Sequence, residues 1–203
     1  MFDLPKSTEI RKPIHKKLIY QKYATELSGA KKEQFDADIS RIIITNEISP
    51  ASVNIKEGEK VKSIFAVQIE LKTKDYNDRN IILISKLFGQ NLLLLLHFED
   101  QYQLAIYETK LLKSEWKKED EFSLKLKGLD FDSIWGNFVT QVSGIEAQAG
   151  NTLEEQINLE AEKEALRKKI EDLEKKARKE TQSKKKFEMF QEIKKFRQKL
   201  EDL

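Results

Sequence analysis

Residues 63–74 read SIFAVQIELKTK, and the alternation within them decides the fold. Phe65, Val67, Ile69 and Leu71 fall on one side of an extended chain, and Ala66, Gln68, Glu70 and Lys72 fall on the other. This is the two-residue period of a half-buried strand. The stretch closes on Glu70-Leu71-Lys72, whose end residues project from one face of a strand, as a metal carboxylate and its lysine partner must in many nucleases. That chemistry also needs a second acid close by. Between Glu47 and Glu70 the acids are Glu57 and Glu59, in a turn, while Asp36 and Asp38 read as helical. Gln68, Glu70 and Lys72 are therefore better explained as the solvated side of a strand, and Glu70 and Lys72 stand as the secondary, catalytic candidates.

Outward from this strand the chain alternates helical and extended patterns. Toward the N-terminus, AKKEQFDADISRIIITNEISP sets Phe35, Ile39, Ile42 and Ile43 at helical spacing and predicts one helix ending before Pro50. ASVNI predicts a short strand, and KEGEK a turn through Gly58. Toward the C-terminus, KDYNDRN is a polar break before a helix over IILISKLFG, with Gly89 as its stop. NLLLLLHF is short and continuously apolar, the pattern of a central strand covered on both faces. EDQ turns into YQLAIYETKLL, and the two segments predict a hairpin. EFSLKLKG predicts a further strand, and LDFDSIWGNFVTQVSGI a closing helix with Ile134, Trp135, Phe138, Val139 and Val142 on its apolar stripe. The expected class is α+β, with a mixed or antiparallel sheet packed with helices.

Composition changes near residue 150, beyond which Lys, Glu, Leu, Gln and Ala dominate. Leu159, Leu166, Ile170, Leu173 and Ala177 keep a heptad seam, as do Met189, Ile193, Phe196, Leu200 and Leu203 in a second register. One long helix that loses its seam between the two registers and two helices that fold back both fit; a C-terminal coiled-coil helical hairpin is favoured, because each stripe then has an intramolecular partner. The organisation expected is a basic arm packed on the domain over 1–28, through Leu4, Ile10, Leu18, Ile19 and Tyr20, an α+β domain over 29–148 and the hairpin over 149–203. Because a charged amphipathic helix must bury its stripe, Leu166, Ile170, Leu173, Ile193, Phe196 and Leu200 are the candidate partner-binding anchors. A homo-oligomer through the same seam is the other use of them.

Charge is distributed unevenly. Residues 1–32 carry eight Lys/Arg against three Asp/Glu, whereas residues 33–150 carry fourteen against nineteen. Affinity for a phosphate backbone rests on a basic excess, so DNA contact, if present, falls to the arm through Lys12, Lys16 and Lys17 or to the Lys184, Lys185, Lys186 run. The chain has no cysteine and two histidines, which removes disulfides and thiolate zinc sites and leaves no metal or cofactor to expect. His97, between the leucine run and Glu99, is a conceivable general base but reads better as a strand-end residue. MFDLPKSTEIRK has no apolar signal core and no apolar run is long enough to span a bilayer, so a cytoplasmic protein with no membrane partner is expected.

FDLPKST at 2–8, NEISPASVNIKEG at 46–58, IFAVQIELK at 64–72 and LEKKARKETQSKKKFEMFQEIKKFRQKLE at 173–201 carry a resemblance covering nearly the whole chain. The chain resembles a bacterial family known as domain of unknown function 4391, with Glu180 and Gln182 standing where its Glu-x-Gln turn falls. The arm reads PIHKKLIY where a Pro-Lys-Lys pattern is usual. The resemblance implies an accessory role beside DNA methyltransferases and helicases of restriction-modification or antiphage defence systems. It supplies no catalytic residues. Together these readings favour a non-enzymatic subunit that docks a protein partner, such as a DNA methyltransferase or helicase, through the C-terminal hairpin. A metal-dependent nuclease and a DNA-binding subunit are the alternatives.

Overall fold

Strand β3 (Ile64–Leu71) lies at the centre of a seven-stranded mixed sheet with the order β1-β2-β3-β4-β5-β6. In the computed structural model, which describes residues 2–87, 89, 91–145 and 152–203, the chain divides into compact units at Met1–Gly144 and Ile145–Leu203. The predicted boundary between residues 148 and 149 lies outside the described residues. The strands flanking β3 are β1 (Glu9–Pro13), β2 (Ile39–Ile48), β4 (Asn91–Phe98), β5 (Gln101–Tyr107) and β6 (Leu111–Lys113); β7 (Lys117–Lys118) also pairs with β5. Neighbours are antiparallel except β3 and β4, which are parallel. Parallel strands need a crossover, and the connection contains helix α4 (Asp78–Ser85).

The alternation of β3 places its two sides in different surroundings. Val67, Ile69 and Leu71 join Ile39, Ile42, Leu92, Leu94 and Leu96 in an apolar cluster. That cluster includes Ile19 of α1 (Lys16–Lys22), Phe35 of α2 (Ala30–Asp38), and Ile81 and Ile84 of α4. On the other side Ile64, Ala66, Leu93, Leu95, Leu104 and Ile106 are buried, and α5 (Phe131–Ser143) packs against β5 and β6. Asp38, fully buried, joins α2 to α4. Its carboxylate accepts from the Asn77 N–H, the Asn80 amide and the Gln34 amide at 2.6–2.8 Å.

Several expectations are corrected. The helix predicted across residues 30–49 stops at Asp38 and continues as β2. Opposite β3, Ile39 faces Leu71 and Arg41 faces Glu70, so Ser40 is an extra residue in a bulge. The bulge returns Ile42 to the core face three residues after Ile39, a spacing that imitates a helix. ASVNI is not a strand. Pro50 begins a short helix, α3 (Pro50–Val53), capped by reciprocal hydrogen bonds between Ser49 and Ser52, and Asn54 ends it in the left-handed region. EFSLKLKG is not a strand either, because the Leu124 N–H donates to the Phe2 carbonyl and the Lys125 N–H to Gln141. The basic arm is not merely packed on the domain: it supplies edge strand β1 and helix α1. Ile19 and Leu4 are buried as expected, but Leu18 is exposed.

In the second unit, α6 (Leu153–Lys179) and α7 (Ser183–Glu201) pack as the predicted hairpin. Glu180, Thr181 and Gln182 form the turn, where the Gln182 N–H donates to the Glu180 carboxylate at 2.8 Å. A Thr152–Glu155 capping box starts α6. Arg197–Glu174 and Lys199–Glu162 ion pairs, each 2.7 Å, join the two helices. Among the described residues no helix is long and apolar enough to cross a membrane.

Candidate functional site

Glu70 and His97 sit opposite each other near the carboxyl ends of the two parallel strands, β3 and β4. Ligands in open α/β sheets gather at such strand ends. Glu70 Oε2 lies 2.6 Å from His97 Nδ1, and the Gln68 amide donates to Glu70 Oε1 at 2.5 Å. The His97 ring stacks on Tyr102, its partner on β5, with centroids 4.3 Å apart and planes at 26°. The bulge at Ser40 places exposed Arg41 across from Glu70 on the same sheet face. The arrangement is a carboxylate holding an imidazole by one nitrogen beside an aromatic ring.

Lys72 does not join this group. β3 ends at Leu71, and the Lys72 amine donates to the Asp36 carbonyl of α2 at 2.7 Å. Glu70 thus meets a histidine and an amide instead of a lysine and a second acid. Among the described residues no group of three His, Asp or Glu side chains is arranged to hold a metal ion.

The arm's basic residues have divergent roles. The Lys16 amine pairs with Asp36 at 2.9 Å and also donates to the Ile39 carbonyl; the Tyr20 hydroxyl donates to the same carboxylate. Burial opposes ionisation of Asp36, but these hydrogen bonds and the Lys16 charge outweigh it and hold the carboxyl below its ordinary range. Tyr20 is pushed up by burial and by that carboxylate. Lys16 therefore fastens α1 to α2. Lys12 and Lys17 are exposed. Lys12 also lies on edge strand β1 beside Pro13, where charge and proline keep an open edge from pairing with another sheet.

Of the anchors predicted in the tail, Leu166, Ile170 and Ile193 are buried, whereas Leu173, Phe196 and Leu200 are half-buried. The outward apolar residues are Phe187, 62 % exposed, and Phe190, 51 % exposed, both on the first turns of α7. Phe190 and Ile193 line a groove with Glu174, Arg178, Lys194 and Arg197. Reading the tail for a seam passed over these two phenylalanines. Their signal was their position off both heptad registers.

The Glu70–His97 contact was equally invisible from spacing, since it depends on the register of two strands separated by a helix. No curated protein and no solved structure matches the chain. Residues 2–200 match the model of a domain of unknown function, DUF4391, and the chain belongs to that family.

Proposed function

We propose that this protein is a non-enzymatic interaction subunit of a bacterial DNA restriction-modification or antiphage defence system, and that it docks its partner protein through the C-terminal hairpin. The observation that carries this reading is the exposure of Phe187 and Phe190 on α7 while the neighbouring seam residues Leu166, Ile170 and Ile193 are buried. Two large aromatic side chains left in water on one short stretch of helix are a cost that a partner would relieve. Phe190 shares its groove with Glu174, Arg178, Lys194 and Arg197, and Phe187 shares one with Glu188, Glu192 and Lys195, so the surface around the two rings is of mixed charge. The buried seam residues then hold the hairpin together, and the phenylalanines are the contact residues. The defence setting rests on what membership of the family implies and on no side chain described above.

The test is co-purification with a DNA methyltransferase or helicase of such a system. The wild-type chain should retain it, and a Phe187→Asp, Phe190→Asp variant of unchanged helical content should lose it. Retention of the partner by that variant would sink the docking reading. The nuclease alternative has less support, because Glu70 is engaged by His97 and Gln68 and Lys72 by Asp36. The DNA-binding alternative has Lys12 and Lys17 but not Lys16 to draw on.

A further inference from the structure

The sheet face that carries Glu70 also holds a cavity of about 370 Å³, lined by Glu9, Arg11, Ile43, Thr45, Asn46, Gln68, Tyr102 and Glu119. Its floor is built from buried polar side chains with hydrogen-bonding capacity to spare. Tyr102 is 8 % exposed, and among the described residues its hydroxyl has no partner. Asn46 is 3 % exposed; its amide nitrogen donates to Thr8 at 2.8 Å, which leaves Oδ1 without a donor among the described residues. Neither oxygen is sealed away from solvent, since no buried side-chain nitrogen or oxygen lacks a partner among the described residues. Both therefore open on the cavity they line. Gln68 is committed in the same sense: its nitrogen is spent on Glu70, and its oxygen is what remains.

The backbone has been shaped around this space. Between Glu9 and Lys12 the β1–β2 register slips, and Arg11 within the slip takes a φ of 49°, in the left-handed region that costs a residue other than glycine. Bulges beside sites redirect side chains, and here the redirected one is Arg11 at the cavity wall. A second bulge, on β2 between Ile44 and Asn46, lies next to it. Two adjacent irregularities at one polar cavity call for a reason beyond edge protection.

The lining is rich in acceptors. Glu9 brings a carboxylate, and Asn46 Oδ1 and Gln68 Oε1 bring neutral oxygens; against them stand the Tyr102 hydroxyl and the Arg11 guanidinium. Burial first, then the charges of Glu119 and Glu70, raise the Tyr102 phenol, so at neutral pH it remains a hydroxyl. A ligand that donates several N–H bonds from a positively charged group satisfies the oxygens of such a wall. We infer that this cavity binds an alkylammonium or guanidinium group, from a free small molecule or from the side chain of a Lys or Arg residue on another protein. Arg11 then takes an anionic group carried on the same ligand, a carboxylate for instance.

Calorimetric titration of the full chain, at fixed ionic strength, uses arginine, agmatine, N-acetyl-arginine amide and adenosine monophosphate as probes. Saturable binding of a guanidinium compound is expected, weakened several-fold by Glu9→Gln, as loss of a charge-assisted contact at an exposed carboxylate predicts. Glu9 is exposed, so its substitution leaves the fold alone. Tyr102→Phe keeps the ring against Phe2 and His97 and should also weaken binding. Tighter binding of arginine than of agmatine, equalised by Arg11→Gln, would assign the guanidinium of Arg11 to the ligand's carboxylate. Binding of the capped arginine as well as the free one points to a protein side chain; binding of free compounds alone points to a small molecule. No saturable binding of any cation, binding indifferent to Glu9→Gln, or binding of the nucleotide in preference to the cations would overturn the inference.

Discussion

The two sides of β3 differ in how far their cover extends. On one side Val67, Ile69 and Leu71 are buried along the strand's second half, among residues of three helices and the neighbouring strands. On the other, Ile64 and Ala66 are buried at the start of the strand, but Gln68 and Glu70 are only half-buried and the lining turns polar. The same alternating sequence thus makes a dry face and a face that is dry for half its length. Polar chemistry collects where the cover ends, because only there can a carboxylate, an imidazole and two amides keep access to water. Substitutions at adjacent positions separate the two sides.

The largest difference is expected at Ile69, fully buried on the dry side. Ile69→Ala removes three carbons from a close-packed cluster and should cost about 2–5 kcal/mol, read as a lower midpoint in chemical denaturation at an unchanged slope. Its neighbour Glu70 points the other way, with its side chain 29 % exposed. Glu70→Gln keeps the shape and exchanges one charge-assisted contact for a neutral one, a change of about 1 kcal/mol or less. If the two variants cost the same, the contrast drawn between the faces is wrong.

How much of this was legible depends on whether local pattern and tertiary pairing agree. β3, α5 and the hairpin were readable because their periods run unbroken; in β4 the run Leu92 to Leu96 has no period, and its shortness and polar bounds favoured a central strand over a helix. β2 misled because the bulge at Ser40 converts a strand's period into a helix's, and no local signal marks a bulge that register imposes. EFSLKLKG misled in the opposite sense, since Phe122, Leu124 and Leu126 alternate but the backbone donors at 124 and 125 are taken by Phe2 and Gln141. Glu70 was identified as a candidate with Lys72, two residues away, whereas its contact is His97, twenty-seven residues away. Tyr102 and Glu9 carry no motif, and Asn46 only opens the NEISPASVNIKEG stretch, which assigns it no role. They meet because β1, β2, β3 and β5 lie in one sheet, which spacing along the chain does not encode.

The smallest effect concerns the tie between β3 and the helix on its partly covered side. Asp132, in the first turn of α5, accepts from the backbone N–H groups of Glu59, Lys60 and Val61, just before β3, at 2.6–3.3 Å. Gly58 permits this approach, since a Cβ there would lie 2.4 Å from the Asp132 carboxyl carbon. The Val61 N–H is the main influence holding the Asp132 carboxyl below its ordinary value of 3.8; burial opposes it, the Lys60 and Glu59 donors reinforce it, and the Asp130 charge opposes it. A carboxyl whose folded value is depressed favours the folded state fully above its unfolded value. That contribution is lost as pH falls through the folded value. The amide proton shifts of residues 59–61 should therefore hold constant from neutral pH to near pH 4 and move together below it, with a midpoint under 3.8. In Asp132→Asn the transition should vanish, while the Ile69 cluster on the other side keeps its chemical shifts at neutral pH. A midpoint above 3.8, or shifts unmoved by acid, would mean that Asp132 does not tie α5 to the approach of β3.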